Sequence, residues 1–206
     1  MKIIMKKDIV AGLGEIGLPI LKILSKKEKI VGYDIDKKLM NEKKFLQLNE
    51  LPTSLLHIAI PVTSKFDFDV IQLYKKFKPD CIVIHSTIPP GTTERLQKKL
   101  SSPIIYSATR GVHKRMLRDL KRYTKFFAIP NSAPKKQWAA KTFSKKIIDE
   151  SFSNLEITSK PIKESVITFA ERADSLGYLG RSGYNLDGIF YNENTLQNSM
   201  GMEKNG

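Results

Sequence analysis

Gly12-Leu13-Gly14-Glu15-Ile16-Gly17 carries the clearest chemistry in the chain. It follows the apolar run Ile9-Val10-Ala11 and opens a stretch with helical spacing of apolar residues. Glycines at these intervals suit a turn that grips a pair of phosphates. The first permits a tight strand-to-helix bend, the second lets the backbone approach the ligand, and the third lets the helix lie close on the sheet. Phosphates held there would face amide hydrogens at a helix N-terminus. Residues Gly12, Leu13, Gly14, Glu15, Ile16 and Gly17 are therefore the expected pyrophosphate cradle. Asp34 stands 22 residues after Gly12, at the end of the next predicted strand, where a carboxylate accepts hydrogen bonds from ribose hydroxyls. Such a carboxylate repels a 2′-phosphate, which favours NAD as cofactor, while Lys37 and Lys38 just beyond keep NADP open. Asp36 is the competing acid and fits a helix N-cap.

A second group of residues concerns an anionic partner. Of the formal net charge of +14, most sits between residues 101 and 150, which hold twelve basic and three acidic side chains. Between Arg110 and Lys125 only Asp119 opposes Arg110, Lys114, Arg115, Arg118, Lys121, Arg122 and Lys125. Guanidinium and ammonium groups so concentrated attract a small-molecule anionic substrate, and Arg110, Lys114 and Arg115 form the expected clamp. The same residues also read as the solvated face of an amphipathic helix whose apolar side is Val112, Met116, Leu117 and Leu120. Both readings stay open. Nucleic acid is not an expected partner, because no recognised motif or interleaved aromatic residues accompany the charge. Hydride transfer from an alcohol needs a proton acceptor, for which His113, with Thr109 nearby, is preferred over His85, whose ring faces either the cleft or the helix layer. His57 reads as structural. No His, Asp or Glu cluster has metal-ligand spacing, so no metal site is expected.

These residues need a scaffold, and the apolar rhythm supplies one. From Lys7 to about Ile148, short β-branched runs alternate with longer helical stretches, the pattern of parallel βαβ units. Strands are expected at Asp8–Ala11, Ile30–Asp34, Leu55–Ile60, Cys81–Ser86, Ile104–Ser107 and Phe126–Ile129. Helices are expected at Glu15–Lys26, Lys37–Lys44, Asp67–Phe77, Thr92–Leu100, Val112–Tyr123 and Pro134–Lys146. Six such strands make an α/β, doubly wound parallel sheet of the Rossmann type over residues 1–148. Residues 149–206 read as an extension with one helix, Ile162–Leu176, and a Gly- and Asn-rich tail with Tyr178, Tyr184, Phe190 and Tyr191. That extension is the expected contact for a homodimer or a protein partner.

Four segments in order, Gly12 to Pro19, Gly32-Tyr33-Asp34-Ile35-Asp36, Ile60-Pro61-Val62-Thr63 and Ser86-Thr87-Ile88-Pro89-Pro90-Gly91-Thr92-Thr93, resemble the N-terminal NAD-binding domain of the UDP-glucose/GDP-mannose dehydrogenases. The resemblance covers roughly residues 7–130. It implies Pro61, Val62, Thr63, Ser86 and Thr87 as neighbours of the nicotinamide, and hydride transfer from an alcohol of a phosphorylated or nucleotide-linked substrate. It also stops short. Where that family has Ser-Pro-Glu, this chain has Ser107-Ala108-Thr109-Arg110-Gly111, and its Lys and Asn positions fall on Ile167 and Glu171. Cys81 begins a predicted buried strand and reads as a small hydrophobe, not the family's nucleophile. The resemblance therefore leaves open a catalytically inactive NAD-binding sensor or subunit, and a fragment lacking its catalytic domain. Pro89-Pro90-Gly91 reads as a rigid turn into a helix that Thr92 or Thr93 is expected to cap.

Composition excludes other classes. With 41% hydrophobic and 27% charged residues the chain is neither disordered nor collagenous. Glu15 and Lys22 interrupt the apolar stretch after Lys6 and Lys7, against a signal peptide, and no uninterrupted run suits a membrane span. One cysteine permits no internal disulfide, which makes the cytoplasm the expected compartment.

Overall fold

Continuous apolar runs make strands that helices can cover on both faces. The computed structural model describes residues 5–26, 29–109, 111, 113–122 and 126–145 and forms five such strands: β1 (Lys7–Ala11), β2 (Ile30–Tyr33), β3 (Thr53–Ile58), β4 (Cys81–Ile84) and β5 (Ile104–Tyr106). All pair in parallel in the order β2-β1-β3-β4-β5. Every residue of β1, β3 and β4 is buried, as a sheet covered on both faces requires. The fold is α/β and Rossmann-like. Arg110, the extension 149–206 and the helix expected at Ile162–Leu176 lie outside the described residues.

Two helix layers cover the sheet. Helices α1 (Gly17–Leu24), α5 (Met116–Arg122) and α6 (Lys136–Phe143) bring Ile20, Leu24, Met116, Leu120 and Phe143 onto Val10, Leu55, Val83 and Ile105. On the other face, α2 (Glu42–Gln47), α3 (Phe66–Phe77) and α4 (Thr92–Gln97) place Phe45, Phe66, Val70 and Leu96 against Ile9, Leu56, Ile58, Ile82 and Ile84. The chain runs outward from β1 in both directions, so a crevice opens at the carboxyl ends of β1 and β3, where α/β sheets of this kind take ligands. No described helix is long and apolar enough to cross a membrane.

The strand order corrects the expectation of six strands. Six-stranded dinucleotide-binding sheets run 3-2-1-4-5-6, and removing strand 3 leaves the order seen here. The segment between β2 and β3 holds only a 3₁₀ turn, Lys37–Leu39, and α2, which leaves no length for that outer strand. At the far edge, the strand expected at Phe126–Ile129 is one antiparallel bridge, Tyr106 to Ala128, with backbone bonds of 2.8 Å both ways. Phe126 and Ala128 are exposed while Phe127 and Ile129 are partly buried. That alternation belongs to a segment covered on one face, and Pro130 ends it. The helix expected at Lys37–Lys44 is divided, because Asp36 caps the 3₁₀ turn through Lys38 N (3.0 Å) and Asn41 caps α2 through Lys44 N (3.0 Å).

Two charged side chains hold the first half of the sheet to the second. Asp8 accepts a hydrogen bond from Leu55 N at 3.0 Å, taking a ladder position where the β1–β3 register shifts between Lys7 and Ile9. Lys7 is 5% exposed, and its ammonium donates to the carbonyls of Leu48 (2.9 Å), Asn49 (2.8 Å) and Leu51 (2.6 Å) just after α2. Cationic donors there complement the carbonyl end of the helix. Burial holds the Lys7 pKa below the ordinary lysine value, with the charge of Glu50 acting in the other direction.

Candidate dinucleotide-binding site

The turn from β1 into α1 is shaped by what its glycines exclude. Gly12 sits at φ +89°, and a Cβ there would lie 2.5 Å from Ala59 O, on the first residue beyond β3. A Cβ on Gly17 would lie 1.7 Å from Gly12 O, so the start of α1 presses directly on the turn. Gly14 is different: it is exposed, and a Cβ there meets nothing within 4 Å. The two outer glycines are packed and the middle one faces open space. No backbone hydrogen bond among the described residues occupies the amides of Gly14 and Ile16. These features fit a diphosphate, which needs backbone donors and close approach without a side chain in the way.

Neighbouring side chains brace this turn. Leu13 is buried over Gly32, where a Cβ would come within 2.7 Å of its side chain, so Leu13 serves the site through its backbone. Its N–H donates to Asp34 Oδ2 at 2.6 Å, and Asp36 N donates to Asp34 Oδ1 at 2.9 Å. Both bonds fix the carboxylate beside the cradle, and each oxygen keeps a second lone pair for a ribose hydroxyl. Ile35, next in sequence, is 94% exposed. It was not among the expected site residues, although an apolar residue between two acids at a strand end was the available signal. Lys37 and Lys38 are exposed in the turn that follows.

The loops after β3, β4 and β5 form the other end of the crevice. Pro61, Val62 and Thr63 are exposed, and Thr63 Oγ1 accepts from Lys65 N at 3.2 Å. Ser86 is buried and donates to Ile60 O at 2.7 Å, tying the β4 loop to the β3 loop, and Thr87 is exposed beside it. A cavity of about 310 Å³ joins Val62, Thr63 and Ser64 to Phe66, Asp67, Pro89, Thr92 and Arg95. Of these eight, only Val62 and Thr63 were among the expected site residues. Gly91, at φ +80°, precedes α4 and takes the N-cap position expected of a threonine. Thr92 Oγ1 instead accepts from Arg95 Nη2 at 3.3 Å, and Thr93 Oγ1 donates to Glu94 Oε2 at 2.9 Å. Arg95 also grips Asp67 with two bonds, Nε–Oδ2 at 2.6 Å and Nη2–Oδ1 at 3.1 Å. Those bonds hold the Asp67 carboxyl below its ordinary pKa.

The catalytic and anion-binding candidates are less concentrated. Thr109 is partly buried just beyond β5, with its N–H on His85 O at 3.2 Å. His113 opens a 3₁₀ turn, His113–Arg115, that leads into α5. Helix α5 packs on α1, with Met116 and Leu120 in the core and Lys114, Arg115, Leu117, Arg118 and Lys121 exposed, so its basic residues form a solvated face. Arg115 lies 3.9 Å from the buried Asp119. Cys81 is fully buried, and burial pushes its thiol up to about 12, far from a reactive thiolate. His85 faces the α1 layer, not the cleft. Its Nε2 is 2.9 Å from His57 Nδ1, with both rings buried. Among the described residues no group of three or more His, Cys, Asp or Glu is placed to hold a metal ion.

Neither protein-family models nor curated protein sequences match this chain. Solved structures do. A UDP-D-ManNAc dehydrogenase from Pyrococcus horikoshii aligns with a TM-score of 0.53 and 18% identity, covering 80% of this chain and 50% of its own. A 3-hydroxyacyl-CoA dehydrogenase from Archaeoglobus fulgidus gives 0.54 and 11%, over 85% and 65%. A reductive aminase from Aspergillus terreus in complex with NADPH gives 0.50 and 11%, over 85% and 64%. This chain therefore shares their fold and spans half the length of the first. Three different reactions on one scaffold mean that the fold alone selects none of them.

Proposed function

We propose that the crevice over β1 and β3 binds a nicotinamide dinucleotide, and that the chain belongs to an oxidoreductase acting on an alcohol of a phosphorylated or nucleotide-linked substrate. The observation that carries this reading is the contrast among the three glycines: Gly12 and Gly17 have no room for a Cβ, whereas Gly14 opens onto unfilled space. A turn built only for structure has no reason to keep its middle position bare and exposed. Gly14 and Ile16 amides take the diphosphate, Asp34 takes the ribose hydroxyls, and Ile35 offers an apolar surface to the adenine. The nicotinamide end lies over Pro61, Val62, Thr63 and Thr87. Bound there, the cofactor supplies a two-electron hydride acceptor or donor. The chain's own part is to hold the ring against the substrate and to accept the hydroxyl proton, for which His113 and Thr109 are the candidates. Arg110, Lys114 and Arg115 attract the anionic group. The carboxylate of Asp34 favours NAD over NADP through its repulsion of a 2′-phosphate.

Within these residues two features leave the four-electron route to an acid without its groups: the thiol of Cys81 is buried with its pKa pushed up to about 12, and the loop after β5 has no acid between Ser107 and Gly111. By itself the chain therefore suits a single hydride transfer or, as the second reading, an NAD-binding subunit without turnover. Titration with NADH by fluorescence tests the central claim. The unmodified chain should saturate, while Gly14→Val should keep its circular dichroism and unfolding midpoint yet bind about 100-fold more weakly, because only the ligand's space is filled. Equal binding by both proteins, or none by either, removes the reading. Turnover with a panel of nucleotide-linked and phosphorylated alcohols separates the enzyme from the binding subunit.

A further inference from the structure

A row of hydrogen-bonded polar groups crosses the sheet just beneath the nicotinamide end of the crevice. His57 on β3, His85 immediately after β4 and Ser107 immediately after β5 share one face of the sheet with Leu55, Val83 and Ile105, under the α1 layer. All three are nearly fully buried, at 0%, 1% and 1% exposure. His57 Nδ1 lies 2.9 Å from His85 Nε2, His85 Nδ1 lies 3.2 Å from Ser107 O, and Ser107 Oγ donates to Phe126 O at 2.8 Å. The rings are nearly parallel, 17° apart with centroids at 5.2 Å. A carbonyl only accepts, so His85 carries a proton on Nδ1, and in the neutral form of the ring its Nε2 is then the acceptor. His57 must then donate from Nδ1. The row has one direction of donation, set at Ser107 O and passed across two strands.

The residues flanking His85 show what this row fixes. Ser86, pointing to the opposite face, donates to Ile60 O at 2.7 Å, and Thr109 N donates to His85 O at 3.2 Å. The base of the β4 loop is thereby fastened to β3 and β5 from both faces of the sheet, and Thr87 is the first residue beyond it to be exposed. We propose that His85, oriented by His57 and Ser107, is a positioning residue for the nicotinamide end of the crevice, setting Thr87 and Thr109 without touching the ligand itself. This rests on the dinucleotide reading above. It assigns the two ends of the site to different devices, glycine geometry at the phosphates and this row at the nicotinamide.

Calorimetric titration of the full chain with NADH and with ADP-ribose, which lacks the nicotinamide, separates the two ends. The unmodified protein should bind NADH about tenfold more tightly than ADP-ribose. His85→Phe should erase that preference while leaving ADP-ribose affinity within about twofold. His85→Asn, which keeps a donor near the Nδ1 position for Ser107 O, should restore part of it. Imidazole ¹⁵N spectra of the unmodified protein should show His85 with a proton on Nδ1. A preference that survives His85→Phe, ADP-ribose affinity that falls together with NADH affinity, or an Nε2–H tautomer at His85 each overturns the proposal while leaving the dinucleotide reading intact. If the Phe variant fails to fold, the Asn variant and the spectra decide on the same terms. No binding of either ligand by the unmodified protein overturns the dinucleotide reading and this proposal together.

Discussion

The half of the sheet built from β1, α1 and β2 and the half built from β3 to β5 solve the same problem with different materials. In the first, the backbone shapes the candidate site: Gly12 and Gly17 have no space for a side chain, and Gly14 has space to spare. In the second, side chains from separate strands make it. Ser86 reaches Ile60 O, His85 reaches His57 and Ser107 O, and Arg95 reaches Asp67. A backbone device is local in sequence and tolerates nothing at its contact points. A side-chain device is spread over tens of residues, and its members are individually replaceable at smaller cost.

The largest effect should follow from breaking the backbone device. Gly17→Ala sets a methyl group against Gly12 O, where no rotamer change relieves the clash, and should cost about 4 kcal/mol or more, most of a domain's net stability. Gly14→Ala, three residues away, should lie within about 0.5 kcal/mol of the parent. Urea unfolding followed by circular dichroism checks both. Equal effects at the two positions would mean that the turn does not distinguish its glycines as described.

Where the two halves join, adjacent lysines give a second contrast. Lys7→Met takes the donor from three part-buried carbonyls and should lower stability by about 2 kcal/mol. Lys6 meets Asp80 at 2.6 Å with both side chains more than a third exposed, and Lys6→Met should cost less than about 1 kcal/mol. Shifts in the urea midpoint measure the difference.

These lysines also show how far the sequence could be read. Lys6 and Lys7 are one residue type side by side, and only a strand register and the distant α2 terminus separate a buried staple from a surface ion pair. Local signals served well: the Gly12–Gly17 turn, Asp34 at the strand end, the Asp36 cap and the five apolar runs all appear where their chemistry placed them. The failures are non-local or depend on a missing neighbour. Phe126–Ile129 has strand composition but no second cover. Asn41 divides a helix because its cap competes with continuation. His57 and His85, 28 residues apart, pair only because β3 and β4 are neighbours, which no spacing rule reveals. The cavity around Asp67 and Arg95 escaped for the same reason.

A finer test of the backbone half concerns cofactor choice. Asp34 is fixed by Leu13 N and Asp36 N, which on the proposed dinucleotide reading keeps its charge beside the ribose 2′ position. Asp34→Ala should weaken NADH binding about tenfold, some 1.4 kcal/mol, and leave NADPH binding unchanged or tighter, drawn by Lys37 and Lys38. Parallel losses for both cofactors would assign Asp34 to bracing the turn alone.

The smallest effect belongs to the side-chain half and is a matter of pH. The hydrogen bonds from Arg95 hold the Asp67 pKa below its unfolded value, so the pair's contribution is complete above the ordinary aspartate range, near pH 3.9. As pH falls through that value, the unfolded chain takes up the proton first, and the contribution is lost progressively until the folded carboxyl is protonated too. Because Arg95 is half exposed, solvent screens the pair and keeps its whole contribution small. Asp67→Asn should therefore lower the urea midpoint slightly at pH 6 and by progressively less as pH falls below about 3.9, so that the two stability curves converge on acidification. Curves that stay parallel would show that the substitution acts through packing around the 310 Å³ cavity and that the ion pair does not brace the loops on either side of it.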